Sequence, residues 1–203
     1  MTANEGKPVT ADAPPQFTFP ATADPASLVA MRTDWIRFYG AEYHTVVRCV
    51  MRTGASLDDA CDAASQAFLE SWAQMTSQPE RWMQIGNQRA WIRVVALRKH
   101  QRPPGTRSRP PLDANAAIPD VPVPGLEPGE LTAQTQIVLA ALRSLDPQAR
   151  AVMALHLDDF RAADIARALD LTEQQARDLI KRARAHLKQK LAAMGIIEGR
   201  LPQ

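Results

Sequence analysis

Cysteine is scarce in this 203-residue chain. The two copies, Cys49 and Cys61, stand within predicted helices, with no CxxC pair and no cysteine–histidine group at zinc-site spacing. We interpret both as small apolar residues in a reducing compartment, with a disulfide or redox switch as the alternative. A signal peptide and any apolar run approaching a membrane span are also lacking. We therefore expect a cytoplasmic protein with no membrane contact and no metal site.

The residue patterns of common catalytic sites are missing as well. The chain has four scattered histidines, His44, His100, His156 and His186. None of them stands beside a nucleophile in a recognisable pairing, and no glycine-rich loop of the kind that holds phosphates occurs. We therefore predict that the protein is not an enzyme and needs no cofactor.

Charge is present in both signs but is unevenly distributed along the chain. The formal net charge is only +2. Residues 53–80 contain five acids and no lysine or arginine, whereas residues 81–112 contain eight basic residues and no acid. Residues 110–142 again contain four acids and no base. Alternating blocks of this kind indicate separate surfaces for separate partners.

Composition divides the chain into five parts. Residues 1–26 are rich in proline, alanine and threonine and lack helical periodicity, which predicts a disordered leader. Residues 103–130 hold eight of the sixteen prolines and are predicted to form an extended linker. Helical periodicity fills residues 27–102 and 131–192, and 193–203 form a short tail. The predicted fold is all-α, with two small helical domains and neither β-rich alternation nor an internal repeat.

Three helices are predicted in the first domain and about four in the second. The first helix begins near Ser27 and stops at Gly54. The second begins at Ser56, followed by carboxylates in the first turn, where they suit the helix dipole. Pro79 is predicted to break the helical pattern before a third helix over roughly Ile85–Gln101.

The most informative local pattern is a short helix followed by a basic helix over residues 171–191. The basic helix has an apolar face and, a quarter turn away, a basic stripe. Asp170 and Leu171 form a tight turn before it, and Thr172-x-x-Gln175 matches a capping box. Two helices joined this tightly cross steeply, so the second can enter a DNA major groove. A merely solvated basic face is the competing interpretation. The predicted DNA-binding residues are Thr172, Gln174, Gln175, Arg177, Lys181, Arg182, Arg184 and Lys188.

Two separate segments resemble one known family. LDPQARAVMALHL…ADIARALDLTEQQARDLIKRARAHLKQKL resembles region 4 of sigma factors of the extracytoplasmic-function type, including the closing Arg182-Ala183-Arg184-x-x-Leu187. DACDAASQAFLESWAQM is similar to region 2 of that family, and RAWIRVVALRKHQR resembles the helix that follows it. The order of the two segments and the linker between them also fit. The resemblance covers roughly residues 28–192 and identifies a divergent member of the sigma-70 family.

The resemblance implies that core RNA polymerase and promoter DNA are the partners. Region 2 is implied to dock on the polymerase clamp helices through, or supported by, Asp62, Gln66, Phe68 and Trp72. Core packing is the competing interpretation of the two aromatic residues. Region 4 is implied to bind the polymerase flap and to read the −35 element. The basic tract 81–112 is implied to face the −10 element, where cations hold phosphates and aromatic or amide groups hold unstacked bases. The candidates there are Trp82, Asn87, Gln88, Arg93, Arg98, Lys99 and Arg102.

Some positions depart from the family pattern and keep other hypotheses open. Leu97-Arg98 stands where Arg-Asn is usual, and Asp178 and Leu179 stand where Ser and Arg are common. These departures motivate a second hypothesis, in which a sigma-like protein docks on polymerase or another partner without opening promoters alone. A simple helix-turn-helix regulator is the third, although it has no need of the acidic docking helix. The leading hypothesis is a sigma factor, with an anti-sigma factor as a further partner left open.

Overall fold

Eight helices make up the part of the chain that the structure describes. The computed structural model describes residues 25–101 and 132–194, with side chains from Val29 onward. The helices are α1 (Pro25–Arg52), α2 (Leu57–Ser77), α3 (Pro79–Gln84), α4 (Gln88–Gln101), α5 (Ala133–Arg143), α6 (Pro147–His156), α7 (Ala162–Leu169) and α8 (Glu173–Ala193). The all-α prediction is confirmed. The predictions for the leader up to residue 24, for the linker, for Arg102 and for residues 195–203 fall outside the described residues.

Side-chain caps set where several helices begin. The Ser56 hydroxyl accepts a hydrogen bond from the backbone N–H of Asp59 at 3.1 Å, so α2 begins where the sequence predicted. The third predicted helix starts three residues later than expected. Asn87 Oδ1 accepts from the N–H of Ala90 at 3.0 Å, which makes Asn87 a cap and Gln88 the first helical residue of α4.

Pro79 ends one helix and starts another. α2 ends at Ser77, as the predicted break requires, but Pro79 is then the first residue of the short helix α3. Proline is well tolerated at this position because the first N–H of a helix has no intrahelical partner in any case. The sequence pattern therefore located the break and missed α3.

Aromatic packing between α1 and α2 forms the centre of the first domain. The ring of Tyr39 lies 4.9 Å from that of Phe68, and the rings of Trp35 and Trp72 are 5.3 Å apart, measured between centroids. Trp35 Nε1 donates to Ser71 Oγ at 2.9 Å, which satisfies the buried indole N–H. α4 packs against both helices and completes the bundle.

The second domain packs α6, α7 and α8 around small and branched apolar side chains. Val152, Leu155, Ile165 and Ala176 are almost completely buried there. α6 begins with Asp146, whose carboxylate accepts from the N–H of Ala149 at 2.9 Å, followed by Pro147 in the first turn. The four helices α5–α8 match the number predicted for this half of the chain.

The two domains pack directly against each other. α1 and α4 of the first domain contact α6 and α7 of the second. Arg150 Nη1 of α6 donates to the backbone oxygen of Thr53 at 3.0 Å, and Arg52 of α1 forms an ion pair with Asp158, in the turn after α6. No sequence pattern predicted this interdomain seam.

Candidate nucleic-acid interface

A short turn between α7 and α8 determines how the basic helix projects from the second domain. Asp170 adopts the left-handed conformation, with φ 56° and ψ 47°. Aspartate tolerates this region better than most residues other than glycine and asparagine. The N–H of Leu171 donates to the carbonyl oxygen of Ala166 at 2.8 Å, which closes the turn. The predicted tight turn at Asp170 and Leu171 is therefore confirmed.

The first turn of α8 carries the predicted capping box. The N–H of Gln175 donates to Thr172 Oγ1 at 3.2 Å, and the N–H of Thr172 donates to Gln175 Oε1 at 2.8 Å. Both side chains therefore satisfy backbone groups that the helix itself leaves unpaired. Their predicted contacts with DNA remain predictions, and the side-chain Oε1 of Gln175 is engaged in the cap.

α8 separates its apolar and basic faces as the sequence predicted. Ala176, Leu179 and Ala183 are buried against the rest of the domain. The other face is exposed and carries Gln174, Arg177, Lys181, Arg182, Arg184 and Lys188. The pairing of α7 with α8 therefore presents the predicted DNA-binding side chains on one projecting helix.

Two acidic residues engage the first side chains of this stripe. Arg177 forms an ion pair with Glu173, one turn earlier. Gln174 Nε2 donates to Asp178 Oδ1 at 3.1 Å. Pairs at this spacing contribute only about 0.2–0.5 kcal/mol on an exposed helix. Such pairs orient the side chains without preventing them from exchanging partners with a nucleic acid.

The candidates for contact with the −10 element do not form one exposed surface. Trp82 is buried, with its ring centroid 5.7 Å from that of Phe38 and 5.6 Å from that of Trp91. Gln88 Nε2 donates to the backbone oxygen of Trp82 at 3.2 Å. Lys99 Nζ lies 2.5 Å from Glu70 Oε2 in an ion pair.

Arg98 differs from these candidates because it is exposed. It lines a cleft between α4 and α7, together with Asn87 on its own side and Asp164 and Arg167 on the other. The cleft has a volume of about 290 Å³. Its two walls belong to different domains, so its shape depends on the interdomain seam.

Arg93, another of these candidates, is completely buried. Its Nε donates to Asp158 Oδ2 at 2.5 Å, and its Nη1 donates to Glu42 Oε2 at 2.9 Å and to the Arg89 carbonyl oxygen at 2.8 Å. The Phe160 ring centroid lies 5.1 Å from its guanidinium carbon. In this arrangement of the two domains, Arg93 has no access to DNA.

No sequence pattern identified the residues that pair with Arg93. Glu42 precedes it by 51 residues and Asp158 follows it by 65. A basic residue in a basic tract is ordinarily assigned to the surface, because arginine is seldom fully buried unless it is paired. Only the tertiary arrangement provides that pairing.

The candidates for polymerase docking divide into surface and core. Asp62 is exposed on α2 and Gln66 is half-buried, whereas Phe68 and Trp72 are buried in the aromatic core. The competing interpretation, that the two rings pack in the core, is therefore confirmed. Their predicted part in docking, at the interface or in its support, remains a prediction.

Both cysteines are free thiols. Burial, followed by the negative charge of Asp158, raises the pKa of Cys49 to about 12, despite the opposing effect of Arg93 and Arg52. Burial also raises the pKa of the half-buried Cys61. Thiols with raised pKa values are poor nucleophiles at neutral pH, which fits the structural interpretation of both residues.

The described ranges 25–101 and 132–194 contain no group of three or more histidine, cysteine, aspartate or glutamate side chains arranged to hold a metal ion. None of their helices has both the length and the apolarity needed to cross a bilayer.

Comparison with known families gives a match to the second domain. Residues 135–187 match the family described as Sigma-70, region 4. These residues contain most of α5, all of α6 and α7, and most of α8. The match supports a sigma-70 relationship and indicates a sigma-factor-like DNA-binding role in promoter recognition. No curated protein matches the chain.

Proposed function

We propose that this protein is a sigma factor of the extracytoplasmic-function type, which binds core RNA polymerase and directs it to promoters. One observation carries the proposal. The segment that matches region 4 contains a closed left-handed turn, a capping box and a projecting helix with an exposed basic stripe. A helix with these features can lie in the major groove, with its first residues at base edges and its later cations near phosphates.

The division of roles along α8 follows from where its side chains lie. Gln174 and Arg177 are exposed in the first two turns, where a recognition helix meets base edges. Lys181, Arg184 and Lys188 lie further along and are suited to phosphates, which attract any cation regardless of sequence. We assign reading of the −35 element to the first pair and anchoring to the later cations.

In this proposal the first domain contacts the polymerase clamp helices and the −10 element. The exposed acid Asp62 and the half-buried Gln66 lie on α2, supported by Phe68 and Trp72, and form the proposed surface for the polymerase clamp helices. Of the basic tract, the exposed Arg98 and the neighbouring Arg102 are proposed to hold the −10 element, because Trp82 and Arg93 are buried. The protein itself contributes specificity, and the polymerase contributes the chemistry.

A matched pair of substitutions on α8 tests the assignment. The binding site is first identified by selecting duplexes from a random library with the full-length protein. Arg177→Ala is expected to weaken binding to the selected site by about 1–3 kcal/mol and to relax the preference at one base pair. Lys188→Ala is expected to weaken binding to all duplexes and to reduce the salt dependence by about one phosphate contact.

Anisotropy titrations over a range of salt concentrations separate the two effects. If both variants lose affinity equally for selected and random duplexes, the division between reading and anchoring is wrong. If neither variant binds more weakly than the wild-type protein, α8 is not the DNA-binding helix and the proposed function loses its main support.

A further inference from the structure

A groove lies where the corner between α1 and α2 faces the side of α5. Its volume is about 620 Å³. Its apolar walls are formed by Met51, Ala55 and Leu57 on one side and by Ile137, Leu139 and Ala140 on the other. An apolar groove of this size is large enough to hold several side chains of an extended peptide.

The first two turns of α5 bury little of their surface. Among the 11 residues of this helix only Ala141 and Leu142, near its end, are buried. The side chains from Ala133 to Ala140 are exposed or half-buried, and Val138 is 42% exposed. A helix of this length is marginal in water unless one of its faces packs against the rest of the protein. The start of α5 therefore leaves room, beside the groove, for a further packing partner.

The end of the groove at Arg143 is positively charged. Arg143 lines the groove, and Arg150 lies nearby: a Cβ at Gly54 would be 3.8 Å from Arg143 Cγ and 3.0 Å from Arg150 Nη1. The Arg150 guanidinium donates to the backbone oxygens of Thr53, Arg143 and Leu145 at 2.8–3.0 Å. The described residues provide neither arginine with a carboxylate partner, so this end of the groove favours an acidic group.

The segment of chain that precedes α5 contains side chains of both kinds. Thr132 caps α5, and residues 102–131 before it lie outside the described residues. Within that segment, residues 119–127 read PDVPVPGLE and contain two acids, no base, and the apolar side chains Val121, Val123 and Leu126. Because the segment is tethered at the start of one wall, its effective concentration at the groove is on the order of millimolar.

The length of this segment matches the length of α5. Pro128-Gly129 is a typical turn pair, so the chain before it can run back along α5. The seven residue steps from Glu127 to Asp120 span about 22 Å in the extended conformation that prolines favour. α5 has 11 residues, a length of about 16 Å, and ends at Arg143. The segment is therefore long enough to place its apolar side chains along the groove and Asp120 at Arg143.

We propose that residues 119–127 bind in this groove, with Val121, Val123 and Leu126 against its apolar walls and the Asp120 carboxylate paired with Arg143. Binding covers the side of α5 that the described helices leave exposed, and it brings an acid to the positively charged end of the groove. The chain left to connect the two domains is then residues 102–118. This inference concerns the protein by itself and does not rest on the proposed function.

Disulfide trapping in the full-length protein tests where the segment lies. Cys49 and Cys61 are replaced by alanine and serine, and Val123→Cys is combined either with Ala140→Cys or with Val138→Cys. Ala140 lines the groove, whereas Val138, two residues earlier, is exposed on the opposite side of α5. We expect the pair with Ala140→Cys to form its intramolecular disulfide about 10-fold faster than the pair with Val138→Cys. Equal rates for the two pairs overturn the proposal.

Proteins with a single introduced cysteine identify a different occupant. If Ala140→Cys forms a disulfide-linked dimer faster than Val138→Cys does, a second copy of this chain binds in the groove and the proposal is wrong. We expect the two single-cysteine proteins to dimerise equally slowly, because the linker of the same chain covers Ala140.

Asp120 and Asp113 provide a matched pair for the charged contact. Asp120→Asn and Asp113→Asn make the same change of charge within the linker. We expect Asp120→Asn to slow the trapping of Val123→Cys by Ala140→Cys about 3-fold at low salt, and Asp113→Asn to leave the rate unchanged. Arg143→Gln should slow trapping by the same factor, with no further loss when it is combined with Asp120→Asn. Equal rates for the two aspartate variants overturn the pairing of Asp120 with Arg143.

Amide hydrogen exchange provides a second measurement that needs no introduced cysteine. Leu126→Asn removes one of the apolar side chains proposed to cover α5. We expect it to raise the exchange rates of the amides from Ile137 to Ala140 about 10-fold, because the start of the helix then opens more often. Leu112→Asn makes the same substitution outside the proposed segment and should leave those rates unchanged. If the two variants exchange at the same rate, residues 119–127 do not bind in the groove.

Discussion

The replacement of Ala176 by leucine tests whether α7 and α8 pack as closely as the DNA-binding arrangement requires. Ala176 is 0% exposed, on the face of α8 that packs with Ile165 and Ala166 in the core of the second domain. Leucine adds three carbon atoms where the interior is already filled. Over-packing of this kind costs about 1–3 kcal/mol, because neighbouring side chains and the backbone must move.

Ala185→Leu is the matched control for this prediction. Ala185 lies on the same helix but is exposed, so the same substitution adds its carbon atoms to solvent. Alanine and leucine are both strong helix formers, and their small difference in propensity is the same at the two sites. We expect Ala185→Leu to change the free energy of unfolding by less than about 0.5 kcal/mol.

Urea unfolding followed by circular dichroism measures both variants, and DNA-binding titrations follow on the folded proteins. Ala176→Leu is expected to shift the midpoint to lower urea and to weaken DNA binding, because α8 is displaced relative to α7. If the two variants unfold at the same urea concentration, Ala176 is not confined between the helices. The prediction that α7 and α8 cross steeply, on which the recognition geometry depends, would then be wrong.

Three further predictions concern the thiol, the turn and the docking surface. Because burial raises the pKa of Cys49 from 9.0 to about 12, the unfolded chain loses this proton first and stability falls above pH 9. By pH 10.5 the contribution of Cys49 to this loss amounts to about 2 kcal/mol in urea unfolding under reducing conditions. Cys49→Ala should therefore lose less stability than the wild-type protein between pH 9 and pH 10.5, and what loss remains comes from groups such as Tyr39, whose pKa burial also raises. Asp170 has a positive φ, so replacement by glycine should raise the thermal midpoint and replacement by alanine should lower it. Each substitution should change the free energy of unfolding by about 1 kcal/mol. Asp62→Arg should reduce co-purification with core polymerase at an unchanged melting temperature, and full retention would remove Asp62 from the proposed interface.

Local patterns were sufficient to predict the elements around the basic helix. The capping box at Thr172 and Gln175 and the turn at Asp170 depend on residues within a few positions of each other, so the sequence contains the whole interaction. The two faces of α8 follow from helical spacing in the same way. Side-chain chemistry at the ends of helices is similarly local, which is why the start of α2 at Ser56 was predicted correctly.

Interactions between distant residues were beyond the reach of those patterns. The late start of α4 is not of this kind, because the Asn87 cap spans only three residues and was missed when the helix was bounded by apolar spacing alone. Arg93 was assigned to a DNA-facing surface on the basis of its charge and its neighbours. Its burial depends on Glu42 and Asp158, which lie on other helices and turns and join it only in the folded chain.

Run-off transcription tests the central claim most directly. Purified core RNA polymerase is combined with the full-length protein and a library of genomic promoter fragments, and the transcripts are sequenced. A sigma factor predicts transcripts that depend on the protein and begin downstream of a shared motif, with the motif's preference altered by Arg177→Ala. Stable co-purification with polymerase without such transcripts would contradict an initiating sigma factor and favour a docking protein that does not open promoters alone.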